Sequence, residues 1–121
     1  GINGFAGIPN ARHDYLMVAV SHGSVRYRVH TAQSGWLGWV YKSNKADTVN
    51  GAAGIVGQAI DKVQVYYTTP SGETYRQAYY RTQTTKRAGW LPAVRDDTDY
   101  AGITGEPMDR LQIEVAQSNP F

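Results

Sequence analysis

The sequence predicts an all-β domain with pseudo-threefold repeats of short antiparallel strands, little or no helix, and a β-trefoil- or β-prism-like architecture. Three observations support this fold class. Apolar and polar residues alternate with a period of two in several segments, as expected for half-buried strands. Thirteen glycines and five prolines in 121 residues interrupt the chain too often for long helices. The third observation is an internal repeat, and a fixed period of this size is typical of repeat architectures.

The repeat consists of an Ala-Gly-Ile string, five further residues, an Asp and then an alternating apolar run. Its copies begin at Ala6, Ala53 and Ala101, so their starts lie 47 and 48 residues apart. A Tyr-Arg pair and a Gly-Trp-Leu string precede the second and third copies but not the first, so we expect the chain to begin inside a repeat. We interpret residues 1–121 as a single domain of three repeat units, the first of them partial: about 1–23, 24–70 and 74–116.

Six segments along the chain have the alternation or the β-branched and aromatic content of strands. They are, in order, 15–20, 25–30, 36–41, 63–68, 75–82 and 111–115. The turn-forming residues His22-Gly23 and 70–72 each lie between two of these segments. Both turns are therefore predicted to close β-hairpins.

The Asp that opens the last strand of each repeat has two interpretations. A short carboxylate can cap a turn by accepting backbone N–H groups, or it can bind a ligand or a metal. The constant position favours capping for Asp14, Asp61 and Asp109. The isoleucines of the repeated string are expected to pack around a central pseudo-threefold axis: Ile8, Ile55 and Ile103.

The composition restricts the classes of function. Cysteine is absent, so the chain offers neither a disulfide nor a thiolate metal site. The formal net charge is +2 and Lys86-Arg87 is the only adjacent basic pair, so we expect no nucleic-acid partner. No apolar run has the length of a membrane span, so we expect no membrane insertion. The sequence indicates no cofactor.

Catalytic motifs are also lacking in the sequence. The histidines His13, His22 and His30 do not have zinc-ligand spacing, and no Gly-x-Ser-x-Gly nucleophile motif occurs. The Asp96-Asp97 pair is interpreted as part of a polar loop. Because the two carboxylates of a glycosidase need only meet in space, a small glycan or peptidoglycan hydrolase remains an alternative.

The Gly-Trp strings are the best candidates for ligand binding. Tryptophan stacks on the apolar faces of sugar rings, and arginine can bind a phosphate or a carboxylate with two hydrogen bonds. The competing interpretations are that the tryptophans belong to the core and that the polar residues form a solvated sheet face. Equivalent residues in successive repeats favour a multivalent binder over an enzyme with one asymmetric site. The predicted ligand-binding residues are Trp36, Trp39, Trp90, Tyr27, Tyr80, Arg28, Arg81 and His30.

These strings also carry a family resemblance that extends over essentially the whole chain. The chain resembles the C-terminal cell-wall-targeting domains of enterolysin A and related enterococcal phage endolysins. The similar segments are 30–37, 47–54, 84–91 and 117–121, whereas the loop at 93–99 is the least similar part. The Gly-Trp and Ala-Gly pattern is more distantly similar to clostridial hydrophobic repeats.

The resemblance implies a non-catalytic domain that anchors an upstream peptidoglycan hydrolase to the Gram-positive cell wall. Its ligand would be a wall polysaccharide, teichoic acid or peptidoglycan. It further implies a homo-oligomer, such as a tetramer, because some family members also produce free copies of the binding domain. The site of action would be the wall of the target bacterium, after synthesis in the host cytoplasm for a phage endolysin or after secretion for a bacteriocin. A purely structural oligomerisation module is a further alternative.

Overall fold

The fold was determined as a computed structural model, which describes residues 12–47 and 49–121 together with the backbone of Ala6 and Gly7. The described residues are all-β, as the sequence predicts, and no helix long and apolar enough to cross a membrane occurs among them. They form ten strands: β1 (Ala6–Gly7), β2 (Tyr15–Leu16), β3 (Ser24–Thr31), β4 (Gly35–Trp36), β5 (Ala53–Gly54), β6 (Ile60–Thr68), β7 (Gln77–Thr84), β8 (Val94–Arg95), β9 (Ala101–Gly102) and β10 (Met108–Ala116).

Four long strands make two antiparallel pairs that organise the described part of the chain. Strand β3 pairs with β6 in a four-stranded sheet of order β4-β3-β6-β9, which we call the first sheet. Strand β7 pairs with β10 in a second sheet of order β1-β10-β7-β8, and β2 pairs with β5 separately. Alternate side chains of the long strands point into a shared core, which removes apolar area from water.

The three Ala-Gly pairs lie at equivalent places in these sheets. Each pairs antiparallel with the two residues that directly follow the Asp of a different repeat. The first pair lies against Arg110 and Leu111, the second against Tyr15 and Leu16, and the third against Lys62 and Val63. The repeated string is therefore an inter-repeat contact. A complete pseudo-threefold arrangement and the trefoil or prism architecture remain predictions.

Asp14 and Asp61 each cap a turn, and in both cases the turn belongs to another repeat. For Asp109, capping remains a prediction. The Asp14 Oδ2 atom accepts the N–H of Gly57 at 3.0 Å, and Asp61 Oδ2 accepts the N–H of Gly105 at 2.8 Å. Asp61 lies at an irregularity in the β3–β6 pairing, as Asp109 does in the β7–β10 pairing. An extra residue in one strand re-aims its side chain, which lets these carboxylates reach groups beside the sheet.

The two predicted hairpins do not exist. The turn at His22-Gly23 joins β2 to β3, and the turn at 70–72 joins β6 to β7, but neither pair of strands is hydrogen-bonded. The chain instead leaves one sheet at each turn and enters another. A turn signal specifies a change of direction, whereas the pairing partner depends on contacts distant in sequence.

Two further predictions need correction. The strand expected at 15–20 is limited to Tyr15–Leu16, and the one expected at 36–41 to Gly35–Trp36 with an isolated bridge between Tyr27 and Val40. Ile55 is 36% exposed, so it does not pack around a central axis. Ile8, the corresponding residue of the first repeat, lies outside the described residues.

Candidate functional site

The face of the first sheet turned away from the core carries alternating aromatic and cationic side chains. On β3, Tyr27 and Val29 are fully buried, while Arg26, Arg28 and His30 point to the opposite face, as their alternation predicts. Across the strand pair these three lie opposite Tyr66, Gln64 and Lys62. We call the connected set on this face the first ladder; its members, in spatial order, are Tyr66, Arg26, Trp39, Arg28, Trp36, Lys62 and Tyr100.

Each cation of the first ladder lies between two aromatic rings. The Arg26 Cζ atom is 4.2 Å from the centroid of Trp39 and 4.8 Å from that of Tyr66. The Arg28 Cζ atom is 4.6 Å from the centroid of Trp36 and 4.8 Å from that of Trp39. Such contacts combine cation–π attraction with stacking of the planar guanidinium. They fix the orientations of both tryptophans before any ligand is present.

The third cation of the ladder is Lys62. Its ammonium nitrogen lies 4.6 Å from the centroid of Tyr100 and 5.6 Å from that of Trp36. Tyr100 directly precedes the third Ala-Gly pair, and because that pair lies against Lys62 and Val63, the ring is brought over this end of the sheet. Trp36 and Tyr100 also meet edge to face, with their centroids 5.8 Å apart.

Hydrogen bonds hold the polar members of this surface. The Arg28 Nε–H donates to Gln64 Oε1 at 2.8 Å, and Gln64 Nε2 donates to the backbone oxygen of Asp99 at 3.1 Å. Arg26 forms an ion pair of 2.9 Å with Asp97. The His30 Nδ1 atom lies 2.6 Å from Asp61 Oδ1. The His30 side chain is only 12% exposed, so it supports Trp36 from one side rather than offering a broad surface to a ligand.

The second sheet carries a shorter version of the same arrangement. The Arg81 Cζ atom lies 4.8 Å from the centroid of Trp90 and 4.7 Å from that of Phe121, so the guanidinium has an aromatic ring at each side. Its Nε–H donates to Gln112 Oε1 at 2.7 Å, as Arg28 does to Gln64. Arg110 contacts the Trp90 ring from 6.0 Å. We call Trp90, Arg81, Phe121 and Arg110 the second cluster.

A cleft borders the first ladder, and another cleft, which no residue of the second cluster lines, lies on the second sheet. Beside the first ladder, a cleft of about 450 Å³ lies between Trp39 and the loop that contains Val49 and Asn50. Beside the second sheet, a cleft of about 350 Å³ is lined by Tyr79, Arg95 and other residues of 93–99. Most of the residues that line each cleft come after a Gly-Trp-Leu string in the sequence. Shallow, partly polar clefts next to aromatic rings are suited to sugar units of a polymer.

Two of the predicted ligand-binding residues belong to the core. Tyr27 and Tyr80 are fully buried, and a ring without exposed surface offers nothing to a ligand. The Tyr27 hydroxyl donates to the backbone oxygen of Lys42 at 2.6 Å, and that of Tyr80 to the backbone oxygen of Asp96 at 2.6 Å. Burial raises the pKa of both phenols, so they remain donors at neutral pH. Their repeated position reflects a repeated core contact.

The other predicted residues lie on the outer faces. The structure brings Trp36, Trp39 and Arg28 together in the first ladder, with His30 against the edge of Trp36. It places Trp90 with Arg81 on the second sheet. Sequence reasoning missed six contributors, which are Arg26, Tyr66, Lys62, Tyr100, Phe121 and Arg110. The alternation of β3 could have identified Arg26, because it lies on the same face as Arg28. Tyr100 and Phe121 reach their aromatic sets only in the folded chain, from distant parts of the sequence.

Neither a metal-binding group among the described residues nor a known relative provides evidence about the role of this surface. Within residues 12–47 and 49–121, no group of three or more His, Asp or Glu side chains is close enough to hold a metal ion. Comparisons with protein-family models, curated proteins and solved structures find no significant match. The functional argument therefore depends on the geometry of the aromatic and cationic residues themselves.

Proposed function

We propose that this chain is a non-catalytic module that binds a carbohydrate of the Gram-positive cell wall and anchors an upstream peptidoglycan hydrolase there. The observation that supports this proposal most directly is the first ladder, in which Trp36 and Trp39 are held in place by Arg26 and Arg28. Aromatic rings stack on the C–H faces of pyranoses, and neighbouring polar groups bind the hydroxyls. Because the rings are already ordered, binding loses less conformational entropy.

The second cluster supports a multivalent version of this proposal. Trp90 and Arg81 repeat the contact made by Trp36 and Arg28, on a different sheet. A wall polymer presents many identical units, so two modest sites on one domain raise the effective affinity without new contacts. The hydrolase partner, the enterococcal wall as target and assembly into a homo-oligomer are proposed from the family resemblance.

The proposal can be tested by sedimentation of a fluorescently tagged chain with purified enterococcal walls. Trp39→Ala removes one of the two inner rings of the first ladder and is expected to weaken binding about tenfold, or about 1.4 kcal/mol. Tyr75→Ala is the matched control, because Tyr75 is an exposed aromatic residue outside both aromatic sets. Circular dichroism and thermal unfolding would establish that both variants are folded.

Two results would contradict the proposal. Wild-type chain that stays in the supernatant at every wall concentration would exclude the targeting role and favour a structural oligomerisation module. Clearing of a turbid sacculus suspension by this chain alone would show a hydrolase. Equal binding by Trp39→Ala and wild type would move the site away from the first ladder.

A further inference from the structure

Lys62 stands out because its charge has no anionic partner. The residue is only 8% exposed, and its ammonium nitrogen lies over the rings of Trp36 and Tyr100. Among residues 12–47 and 49–121, no carboxylate lies within ion-pair distance of Lys62, and its ammonium forms no hydrogen bond. The ammonium nitrogen is nevertheless not sealed from solvent. Long cationic side chains commonly bury the stem and keep the charge at the surface in this way.

The nearest acidic residue in sequence is committed elsewhere. Asp61 places one carboxylate oxygen 2.6 Å from His30 Nδ1 and the other 2.8 Å from the N–H of Gly105. Arg28, which shares the Trp36 ring with Lys62, also has no carboxylate partner in the described part of the chain, and its Nε–H is taken by a neutral glutamine. Neither of these two adjacent cations therefore has a carboxylate within ion-pair distance in the described part of the chain.

The equivalent position on the second sheet makes the contrast clear. Arg110 follows Asp109 as Lys62 follows Asp61, and it also approaches a tryptophan, Trp90. Arg110 Nε lies 3.2 Å from Asp109 Oδ1, so this cation has an internal carboxylate. Likewise, Arg26 at the other end of the first ladder is paired with Asp97. The uncompensated charge is concentrated at the Lys62 end of the ladder.

We infer that Lys62, with Arg28 beside it, forms a subsite for an anionic group of the bound carbohydrate, a phosphodiester or a carboxylate, framed by Trp36 and Tyr100. Partial burial of a cation without a counter-ion costs free energy, and an anion in the ligand recovers it through charge-assisted hydrogen bonds. Cation–π contact with the two rings keeps the ammonium in place between binding events. This inference rests on the proposed function and narrows its ligand to acidic wall polymers.

A direct test uses sn-glycerol 1-phosphate as the probe, with glycerol as its neutral counterpart. Titration of the isotopically labelled chain is expected to shift the indole N–H resonance of Trp36 and the ring resonances of Tyr100, and glycerol is expected to leave both unchanged. The same titration with acetate reports on carboxylates. The absence of shifts at these two residues with both anions would overturn the subsite, whether or not the chain binds walls.

The wall-binding assay can also compare matched variants of Lys62. Lys62→Met keeps the stem between the rings and removes the charge, so wall affinity is expected to fall about tenfold and to depend less on salt. Lys62→Arg retains the positive charge, so this variant is expected to bind walls as wild type does. Lys45→Met is the control, because it removes the same charge from an exposed loop position. Equal affinity and equal salt dependence of Lys62→Met and wild type would contradict the inference.

Two chemical treatments of the walls distinguish a phosphodiester from a carboxylate as the bound anion. Acid extraction removes phosphodiester-linked polymers, and carbodiimide amidation neutralises the carboxylates of peptidoglycan. Loss of Lys62-dependent binding after the first treatment identifies a teichoic-acid-like phosphate, and loss after the second identifies a carboxylate. Binding that is unaffected by both treatments but still weakened by Trp39→Ala would refute the anionic subsite while supporting the broader proposal of carbohydrate binding.

Discussion

At the scale of single residues, the glycines of the second and third Ala-Gly pairs determine whether neighbouring repeats can make contact. Gly54 and Gly102 have φ angles of 136° and 117°, a region that other residues rarely adopt. A Cβ atom at Gly54 would collide with the carbonyl oxygen of Asp14, and one at Gly102 with that of Asp61. Glycine at these strand positions therefore permits a close backbone approach between repeats.

We expect Gly54→Ala and Gly102→Ala each to lower the free energy of unfolding by more than about 2 kcal/mol, because backbone strain and a steric collision add together. Gly89→Ala is the matched control, since a Cβ there meets no atom within 4 Å. Urea unfolding followed by tryptophan fluorescence measures all three. A loss at Gly54 no larger than at Gly89 would show that the close approach is not important for stability.

The residues of the site differ in how well the sequence predicts them. Trp36 and Trp90 could be found because a repeated Gly-Trp string marks them, and Arg28 because its neighbours alternate. The same repetition led to a wrong prediction for Tyr27 and Tyr80, which are buried. A contact in the core can recur in each repeat just as a binding contact can. Repetition identifies equivalent positions, but burial decides what those positions do.

At the scale of elements, Asp96 connects the two large sheets. Its Oδ1 atom accepts the N–H of Tyr67 on β6 at 3.2 Å and the N–H of Ala78 on β7 at 2.9 Å, although these strands belong to different sheets. Its backbone oxygen accepts the hydroxyl of Tyr80. The residue adopts a φ of 43°, which Asp and Asn tolerate better than most residues. Hydrogen bonds to Asp96 therefore link β6 and β7, for which the sequence had predicted direct pairing in a hairpin.

We expect Asp96→Ala to lower the free energy of unfolding by about 2 kcal/mol, because two buried N–H groups lose their acceptor. Asp96→Asn keeps an acceptor oxygen and the tolerance for this φ, so it should stay close to wild type. Burial raises the pKa of Asp96, so the protonated form favours folding. Its contribution is greatest below the ordinary Asp pKa of about 3.9 and declines as the pH rises through the folded-state pKa.

Urea unfolding of wild type and Asp96→Asn across this pH range measures the effect. The asparagine variant cannot ionise, so its stability relative to wild type should improve as the pH increases from acid to neutral. A constant difference between the two proteins would indicate that Asp96 titrates alike in the folded and unfolded chains. Equal stability of Asp96→Ala and Asp96→Asn would contradict the link between the sheets.

The strands themselves show which part of the fold the sequence can predict. The segments 25–30, 63–68, 75–82 and 111–115 became the four long strands, because alternation records which side of a strand is buried. The order of strands was not predictable in the same way. The Ala-Gly pairs bind strands of other repeats, and such contacts depend on the three-dimensional arrangement rather than on local pattern.

At the scale of the whole molecule, the two aromatic sets lie on the outer faces of two different sheets. The two sets share no side chain. The first ladder is built on β3, β4 and β6 with Trp39 and Tyr100 from the adjoining loops. The second cluster is built on β7 and β10 with Trp90 and Phe121. Each could therefore bind a separate unit of a polymer. This arrangement predicts that the two sites act independently towards small ligands and jointly towards an intact wall.

The joint action can be measured with Trp36→Ala, Trp90→Ala and the double variant. If both sites engage one wall, each single variant weakens one of the two contacts that produce the avidity, so its wall affinity should fall by about tenfold, as for Trp39→Ala. The affinity of each single variant for a short soluble wall fragment should reflect only the loss of the substituted site. The double variant should bind neither the wall nor the fragment. A Trp90→Ala variant with unchanged wall affinity would make the second cluster structural, because a site that contributed to avidity could not be removed without cost to binding on the multivalent surface.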